Sequence, residues 1–555
     1  MAERRPPDQV MRLSRLGALH QCRLSFMRQL TRRMATEGWT FHRQAFDVDA
    51  NGVGHAVYCA TGPERSYSLV AFAHDLPPEK RSDRVIADAW DATFALFDGV
   101  PTQEDLDRLA RNVPLQEAGR ISDRELSLSR ANRSVRLWAH VVDRLAAGQQ
   151  PDAAEIDAVG YLMRTTAVYG SGKFGAADRE QIADRPEMQA PFQAEMLSVY
   201  LTRWFVRDLV NHMARQQGVG RAATLAPDLA RKLGIGNSTG LGMAPFLINH
   251  PVLFNNWILT REEALARVRA LPRASVQERD VFRTIYARAT GLVARWRSDH
   301  PIQQRKLAAL RTDLRALDTR LAADDLSGPT PWDALIRWSE TALSEEGQEL
   351  LVSLVLEPYP DLVDGLGCCM ADSAPEAFQI DGSMTVGTVQ DLLRDSFGWA
   401  LELDWSRRQA NARAWYVSAE KQEPRLGERY EEPISAYEQP LAPARDAAAC
   451  FATLDGLAPD TPIADVLSAH PQHRHTIRRA QISARAPYGE IRDNTIGADV
   501  LPIDMLRAKL SFFGATHFDP RSDRWVRISM YGNAPYPDEL TPANADLWVY
   551  PEAAP

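Results

Sequence analysis

The feature that most limits the fold of this chain is a run of alternating apolar and polar residues between residues 38 and 74. The run is broken twice, at Asn51-Gly52 and at Gly62-Pro63, and both pairs are typical of turns. An alternation with a period of two indicates strands that bury one face. We therefore predict a three-stranded antiparallel meander near the N-terminus.

Most of the remaining chain has apolar residues at helical spacing, including residues 82–150, 152–270 and 275–321. Beyond Ala480 the period returns to that of strands, in the stretches "QISARAPYGEIRD", "LRAKLSFFGATHF" and "RWVRISMY". The sequence therefore predicts an α+β fold that is predominantly helical, with antiparallel strand clusters near the N- and C-termini.

A chain of 555 residues exceeds the length at which a single hydrophobic core usually stops growing. Pattern changes near residue 150 and the breaker-rich stretch "DDLSGPTPWD" near residue 330 predict three regions. Residues 1–150 would hold an N-terminal helix, the meander and further helices. Residues 151–330 would form a helical region with two glycine-rich loops, and residues 331–555 an α+β region with a proline-rich excursion.

The composition is typical of a globular protein, with 45% hydrophobic and 25% charged residues. No apolar run approaches the roughly 20 residues that a membrane-spanning helix needs. The net charge is −9, and acidic and basic residues are interleaved, which argues against a nucleic-acid surface. We predict a small-molecule substrate, no nucleic-acid partner and no membrane partner, while an oligomer stays possible.

Five scattered cysteines do not form a disulfide framework, which favours a reducing, cytoplasmic location. The first 36 residues hold eight arginines and are amphipathic, as a mitochondrial transit peptide would be. The alternative is a basic first helix that packs on the protein and keeps its arginines in water. Cys368 and Cys369 are predicted to be buried small side chains rather than nucleophiles, because their acidic neighbours would raise a thiol pKa.

The stretch "GIGNSTGLGMAPFLINHP", from Gly234 to Pro251, superficially fits a dinucleotide-binding loop. Such a loop follows a strand, whereas the preceding "LAPDLARKL" has helical spacing, so we disfavour that interpretation. One alternative is a nest of backbone amides that binds an anion together with Asn237, Ser238 and Thr239. The other is an ordinary helix end followed by a tight turn.

A second glycine-rich stretch, "YGSGKFG", contains Lys173, one of only six lysines in the chain, close to Ser171. Phe174 stands where a phosphate-binding P-loop has its hydroxyl residue, which argues against ATP hydrolysis. Arg164 would lie one or two turns earlier on a preceding helix. The segment is therefore predicted to be either a cationic loop over an anionic substrate or a surface turn.

Three residues are candidates for proton transfer: His250, Glu490 and Asp493. His250 could instead satisfy a helix end, and Asn255 and Asn256 follow it as further substrate-binding candidates. Glu490 and Arg492 would point to one side of a strand, as a general base and an anion clamp or as a structural ion pair.

No metal site is predicted, because the only histidine cluster matches no standard zinc spacing, and a cofactor without a linear motif stays open. Two function classes follow. The first is an enzyme that acts on a small carboxylate or phosphate metabolite by acid–base chemistry, with the glycine-rich turns holding the anion. The second is a non-catalytic helical scaffold or regulatory binding protein in which the glycines only form turns.

Overall fold

A computed structural model describes most of the chain in two compact units. The residues it describes are 3–75, 90–115, 120–165, 182, 184–240, 251–298, 300–370, 379–407, 416–418, 436–438, 442–493, 505–515, 517–520 and 525–552. Unit 1 comprises Met1–Arg23, Gly240–Ser511 and Arg521–Trp525. Unit 2 comprises Leu24–Thr239, Phe512–Pro520 and Val526–Pro555. The boundaries predicted at residues 150 and 330 stay predictions.

The strands of the described chain are β1 (Thr40–Val48), β2 (Gly54–Thr61), β3 (Ser66–Ala73), β4 (Ala92–Asp98), β5 (Glu125–Arg133), β6 (Tyr161–Thr165), β7 (Gly234–Gly240), β8 (Tyr416–Ser418), β9 (Ala436–Glu438), β10 (His517–Pro520) and β11 (Trp525–Met530).

The α-helices of the described chain are α1 (Pro7–Val10), α2 (Leu13–Leu16), α3 (Phe26–Thr36), α4 (Gln103–Asn112), α5 (Trp138–Ala146), α6 (Ala153–Val159), α7 (Gln193–Gly218), α8 (Pro227–Lys232), α9 (Pro251–Arg269), α10 (Val276–Arg295), α11 (Pro301–Ala323), α12 (Pro331–Ala342), α13 (Glu345–Val355), α14 (Pro360–Val363), α15 (Val386–Leu401), α16 (Ala442–Asp455), α17 (Ile463–Ala469), α18 (Arg474–Arg485) and α19 (Met505–Phe513). The predicted fold class, α+β and mostly helical with strand clusters towards both termini, is confirmed. No helix among the described residues combines the length and apolar content that a bilayer span requires.

Unit 2 is built on a mixed sheet whose nine described strands follow the order β1-β2-β3-β4-β5-β6-β7-β11-β10. Each of β1 to β5 is antiparallel to the next strand, and β6 and β7 are parallel. The predicted meander is confirmed as β1–β3. Its first turn depends on Gly52, which adopts a left-handed conformation, and on the Asp49 carboxylate, which accepts bonds from two backbone amides of the turn.

Helices cover both faces of this sheet. On one face α7 packs through Phe205, whose ring lies edge-on to Tyr58 and Phe94. On the other face Leu109 of α4 joins an apolar cluster with residues of β2 to β5, including Phe97. The core of unit 2 is therefore divided between two helix–sheet layers.

Two strands, β4 and β5, lie inside the stretch 82–150 that apolar spacing predicts to be helical. β4 is buried along nearly its whole length, and its sequence "ATFALFD" has no regular alternation of apolar and polar residues. A short buried strand of this kind cannot be distinguished from a buried helix by periodicity alone, so β4 was not predicted. The purely helical interpretation of this stretch is wrong.

The strands predicted beyond Ala480 are only partly correct. The stretch "QISARAPYGEIRD" continues α18 and then forms a short 3₁₀-helix at Pro487–Gly489, and "LRAKLSFF" lies in α19. In α18 the buried apolar residues Ile477 and Ala480 are three apart, which is helical spacing. "RWVRISMY" is confirmed as a strand, because it contains β11.

The first glycine-rich stretch begins as a strand, not as a turn or a helix end, because Gly234–Gly240 forms β7. A Cβ atom on Gly234 would lie 2.3 Å from the carbonyl oxygen of Met530, and one on Gly236 would lie 2.4 Å from the ring of Tyr161. The preceding helix is confirmed as α8. These glycines therefore permit close packing around the strand, where a side chain would collide.

Unit 1 buries a cluster of charged side chains around Glu349 of α13, whose side chain is 0% exposed. Its carboxylate is 2.7 Å from a guanidinium nitrogen of Arg5 and 2.8 Å from those of Arg15 and Arg261. Burial alone would raise the pKa of Glu349, but the three guanidinium groups hold it below its usual range. The arginines of the N-terminal segment are thus not all in water, because Arg5 and Arg15 are part of the interior.

His20 lies beside this cluster, stacked on Trp296, and its Nε2 is 2.9 Å from Nη2 of Arg507. Burial lowers the pKa of His20 to about 4, and the Arg507 guanidinium lowers it too, although Glu346 acts in the opposite direction. The imidazole is therefore neutral at physiological pH.

We predict that Glu349→Gln lowers the free energy of unfolding by about 3–5 kcal/mol, because three buried guanidinium groups lose a shared counter-charge and Glu262 remains as the buried carboxylate beside Arg5 and Arg261. Urea unfolding at neutral pH measures the change. Glu263→Gln is the matched control, since Glu263 forms an exposed i,i+4 pair with Arg267 and should change stability by less than about 1 kcal/mol. Equal effects of the two substitutions would contradict the role given to Glu349.

We also predict that His20 makes the free energy of unfolding depend on pH between about 4 and about 6.5. Below the ordinary histidine pKa of about 6.5 the unfolded chain takes up a proton that the folded chain refuses until about pH 4, so stability falls as pH falls through this range. His20→Gln should therefore reduce the difference between urea midpoints measured at about pH 7 and about pH 5. Parallel pH profiles for variant and parent would exclude this contribution.

Candidate functional site

The structure places the predicted site residues in separate groups. Arg164 and Asn237 lie in unit 2, together with the backbone of Ser238 and Thr239 on β7. Asn255, Asn256, Glu490, Arg492 and Asp493 lie in unit 1. Ser171, Lys173 and His250 lie outside the described residues.

The strongest concentration of buried polar side chains in unit 2 is on one face of the sheet, close to one end. Thr93 of β4 pairs with Arg130 of β5, and Asn132 of β5 pairs with Arg164 of β6. Because paired residues share a face and residues two apart on a strand do too, these four side chains project from one side. We call Thr93, Arg130, Asn132 and Arg164 the polar face.

The same side of the sheet is apolar farther along, where Ala95, Phe97 and Leu128 pack with Leu109. Three residues of the polar face are nevertheless just as buried, since Thr93 is 0% exposed, Asn132 2% and Arg164 4%, while Arg130 is partly exposed. Burying polar groups without full hydrogen bonding opposes folding. The sheet therefore changes from apolar to polar along one face, at a cost in folding free energy.

Asp91 and His74 adjoin the polar face. The backbone N–H of Asp91 donates to Oδ1 of Asn132 (3.2 Å), and its carboxylate accepts from the N–H of Arg133 (2.8 Å). The first of these contacts uses the amide oxygen of Asn132. The amide nitrogen, Nδ2, is buried and has no hydrogen-bond partner among the described residues.

His74 follows β3 directly, and its Nε2 lies 3.1 Å from the hydroxyl of Thr93. Burial lowers the pKa of His74; the Asp91 carboxylate opposes this shift, and the Arg133 guanidinium adds to it. The imidazole is therefore neutral at pH 7 and is able to accept a proton.

Guanidinium groups give the polar face its charge. Arg130 places its guanidinium 4.0 Å from the centre of the Trp90 ring, an arrangement that fixes the group through a cation–π contact. Arg164 is buried on the neighbouring strand. Desolvated guanidinium groups next to an amide donor provide the hydrogen-bond geometry that carboxylates and phosphates require.

Arg164 lies on β6 and not on the helix predicted for it, and its partner on β7 is Gly236. Asn237 therefore follows one residue farther along the neighbouring strand. It is 0% exposed, and neither amide atom of its side chain has a hydrogen-bond partner among the described residues. Because β6 and β7 are parallel, their C-terminal ends lie at the same end of the sheet.

The predicted residues of unit 1 are held in specific contacts. Asn255 accepts a hydrogen bond from the backbone of Tyr488 (2.9 Å), and Glu490 is paired with Arg479 (2.6 Å). Asn255 also donates to Asn256, its neighbour on α9.

Arg492 contacts Asp395, and Asp493 contacts Arg12, each at 2.9 Å. The predicted placement of Glu490 and Arg492 on one strand is wrong, because this segment follows a 3₁₀-helix and each side chain has a different partner. Their catalytic and binding roles stay predictions.

The sequence analysis did not identify His74, Asp91 or Asn132. The available signal was the occurrence of polar residues within otherwise apolar strand sequences, as in "VAFAHD" and "LSLSRANRS". Cys368 and Cys369, predicted to be buried, are exposed in a 3₁₀-helix. Within the described ranges no group of three or more His, Cys, Asp or Glu side chains is arranged to hold a metal ion.

We predict that Asn237→Leu raises the free energy of unfolding by about 1–3 kcal/mol, because it replaces a buried amide that has no hydrogen-bond partner among the described residues by an apolar side chain with the same branching at Cγ. Asn211→Leu is the matched control: Asn211 is also buried in unit 2, but its side chain accepts from Leu225, so its loss should destabilise. Denaturant unfolding of both variants measures the contrast. Destabilisation by both would show that the Asn237 amide is satisfied in solution.

No protein-family model, curated protein or solved structure matches this chain. The functional argument therefore depends on the chemistry of its own residues, above all on those of the polar face.

Proposed function

We propose that this protein is an enzyme that acts on a small anionic metabolite, a carboxylate or a phosphate, bound at the polar face of unit 2. The observation that carries this proposal is the pairing of Arg164 with Asn132, two buried side chains on neighbouring strands. The amide nitrogen of Asn132 has no partner among the described residues, so it is a donor available to a ligand.

An anion fits this arrangement for electrostatic reasons. Guanidinium groups of Arg130 and Arg164 lie on the same face, and a desolvated guanidinium binds carboxylate or phosphate oxygens with two parallel hydrogen bonds. In a site removed from water this attraction is stronger than at an exposed surface. The cost of keeping polar groups inside the protein is then offset when the anion is bound.

The same face offers a route for a proton. The hydroxyl of Thr93 belongs to the polar face and lies next to Nε2 of His74, so a proton taken from a substrate passes through the hydroxyl to a neutral imidazole. Neighbouring strands lie about 4.8 Å apart, so His74 and Arg164, three strands apart, have backbones roughly 14 Å from each other. The two strands between them carry Thr93, Arg130 and Asn132.

The proposal predicts that Arg164→Gln weakens the binding of the anion at least about tenfold, as expected for the loss of a charged hydrogen bond. Inorganic phosphate and a series of small mono- and dicarboxylates are the probes, screened by thermal shift and then titrated by calorimetry. Arg43→Gln is the control, because Arg43 lies in the same sheet but is largely exposed and pairs with Asp208.

His74→Gln separates binding from chemistry: it should leave the dissociation constant nearly unchanged and abolish turnover of any anion that is a substrate. Circular dichroism and the melting temperature establish that each variant is folded. If no probe stabilises the parent, or if the Arg164 and Arg43 variants bind equally well, the anion site is refuted and a scaffold or regulatory role is favoured instead.

A further inference from the structure

Unit 1 contains a cavity of 320 Å³ next to an irregularity in α15. Phe397 in this helix has non-helical dihedral angles (φ −127°, ψ 18°), and Asp395, Gly398 and Trp399 on either side of it line the cavity. Helix irregularities of this kind are frequent at functional sites. The volume lies in the range of small-molecule sites.

One wall of the cavity offers hydrogen-bond donors. Arg492 is nine-tenths buried, and its Nη1 donates to the carbonyl and the carboxylate of Asp395 at 2.8 and 2.9 Å. Its Nε and the indole nitrogen of Trp399 are buried, and neither has a hydrogen-bond partner among the described residues. Two buried donors without acceptors at one cavity indicate a ligand that supplies the acceptor, and a carboxylate supplies two oxygens.

Asp8, in the first turn of α1, contributes a negative charge and a hydrogen-bond acceptor to the cavity. The other two aspartates of the cavity are in ion pairs, Asp395 with Arg492 and Asp493 with Arg12. Asp8 is exposed and forms no ion pair within the described part of the chain. Its carboxylate is therefore available to a cationic group of a ligand.

The charges that line the cavity balance. Three guanidinium groups (Arg12, Arg394 and Arg492) stand against three carboxylates (Asp8, Asp395 and Asp493). A cavity without net charge has no overall preference for an anion or a cation, but it favours a ligand that carries one of each.

We infer that this cavity binds an α-amino acid in its zwitterionic form. The ligand's carboxylate accepts from Nε of Arg492 and from the indole N–H of Trp399, and its ammonium group donates to Asp8. This site is distinct from the polar face of unit 2, and the inference does not depend on the proposed function there.

The test is calorimetric titration of the full chain with alanine, leucine and phenylalanine and with analogues that lack one charge. The analogues without the ammonium group are propionate for alanine, isocaproate for leucine and hydrocinnamate for phenylalanine. The analogues without the carboxylate are ethylamine, isoamylamine and phenethylamine, in the same order. At least one amino acid should bind, and each of its analogues should bind at least about tenfold more weakly.

Two variants test which side chains bind the carboxylate and the ammonium group of the ligand. Trp399→Phe removes the indole N–H and keeps an aromatic ring, so it should weaken amino-acid binding about tenfold and leave binding of the amine analogue unchanged. Asp8→Asn should weaken amino-acid binding similarly and leave binding of the acid analogue unchanged. Asp8 is exposed, so its variant keeps the test valid if substitution of Trp399 disturbs folding.

Trp338→Phe is the control, because Trp338 belongs to the same unit and does not line the cavity; it should bind as the parent does. The inference is overturned if none of the three amino acids binds. It is also overturned if an amino acid binds no more tightly than the analogues that lack its ammonium group or its carboxylate. It is also overturned if Asp8→Asn weakens the acid analogue as much as the amino acid.

Discussion

The carboxylate of Glu349 is the interaction on which the interior of unit 1 depends. Three guanidinium groups reach it from two parts of the chain, Arg5 and Arg15 from the N-terminal segment and Arg261 from α9. A charged cluster of this kind is stable only when every member is present, because the desolvation of each ion is compensated by the others. Arginine suits this role better than lysine, since its planar fork engages more than one acceptor at a fixed geometry.

The buried polar side chains of unit 2 are arranged differently. In the cluster around Glu349 charges of opposite sign are in direct contact and form ion pairs within the protein. The polar face instead combines guanidinium groups with the amide of Asn132, whose nitrogen has no hydrogen-bond partner among the described residues. That unused donor is why the polar face, and not the charged cluster, is the basis of the proposed function.

The sequence predicted those elements whose pattern is local. The meander β1–β3 was accessible because alternation and turn residues coincide at Asn51-Gly52, and the mostly helical class followed from apolar spacing. β4 was missed because burial on both faces removes its alternation. β7 was missed because its glycines are required by Met530 and Tyr161, which are distant in the sequence, and no local pattern reports such a contact.

In the candidate site, too, residues in a distinctive local pattern were predicted, and residues brought together by strand pairing were not. Arg164 and Asn237 were identified from their glycine-rich surroundings, and the structure places them on neighbouring parallel strands. Asn132 and His74 become recognisable only when the register of β3 to β6 is known, because each looks like an ordinary polar residue in its own segment. Which side chains of antiparallel strands lie next to each other thus depends on the register of strand pairing. That register joins residues that are distant in the sequence.

The buried position of Arg5 also has a consequence for how the chain reaches its folded state. Arg5 and its partner Glu349 are separated by 344 residues in the sequence. During synthesis the N-terminal segment therefore emerges long before Glu349, so this contact forms only after α13 has been made. A contact of such high sequence separation adds a cost of loop closure to folding, even though most of the secondary structure of unit 1 is local and helical.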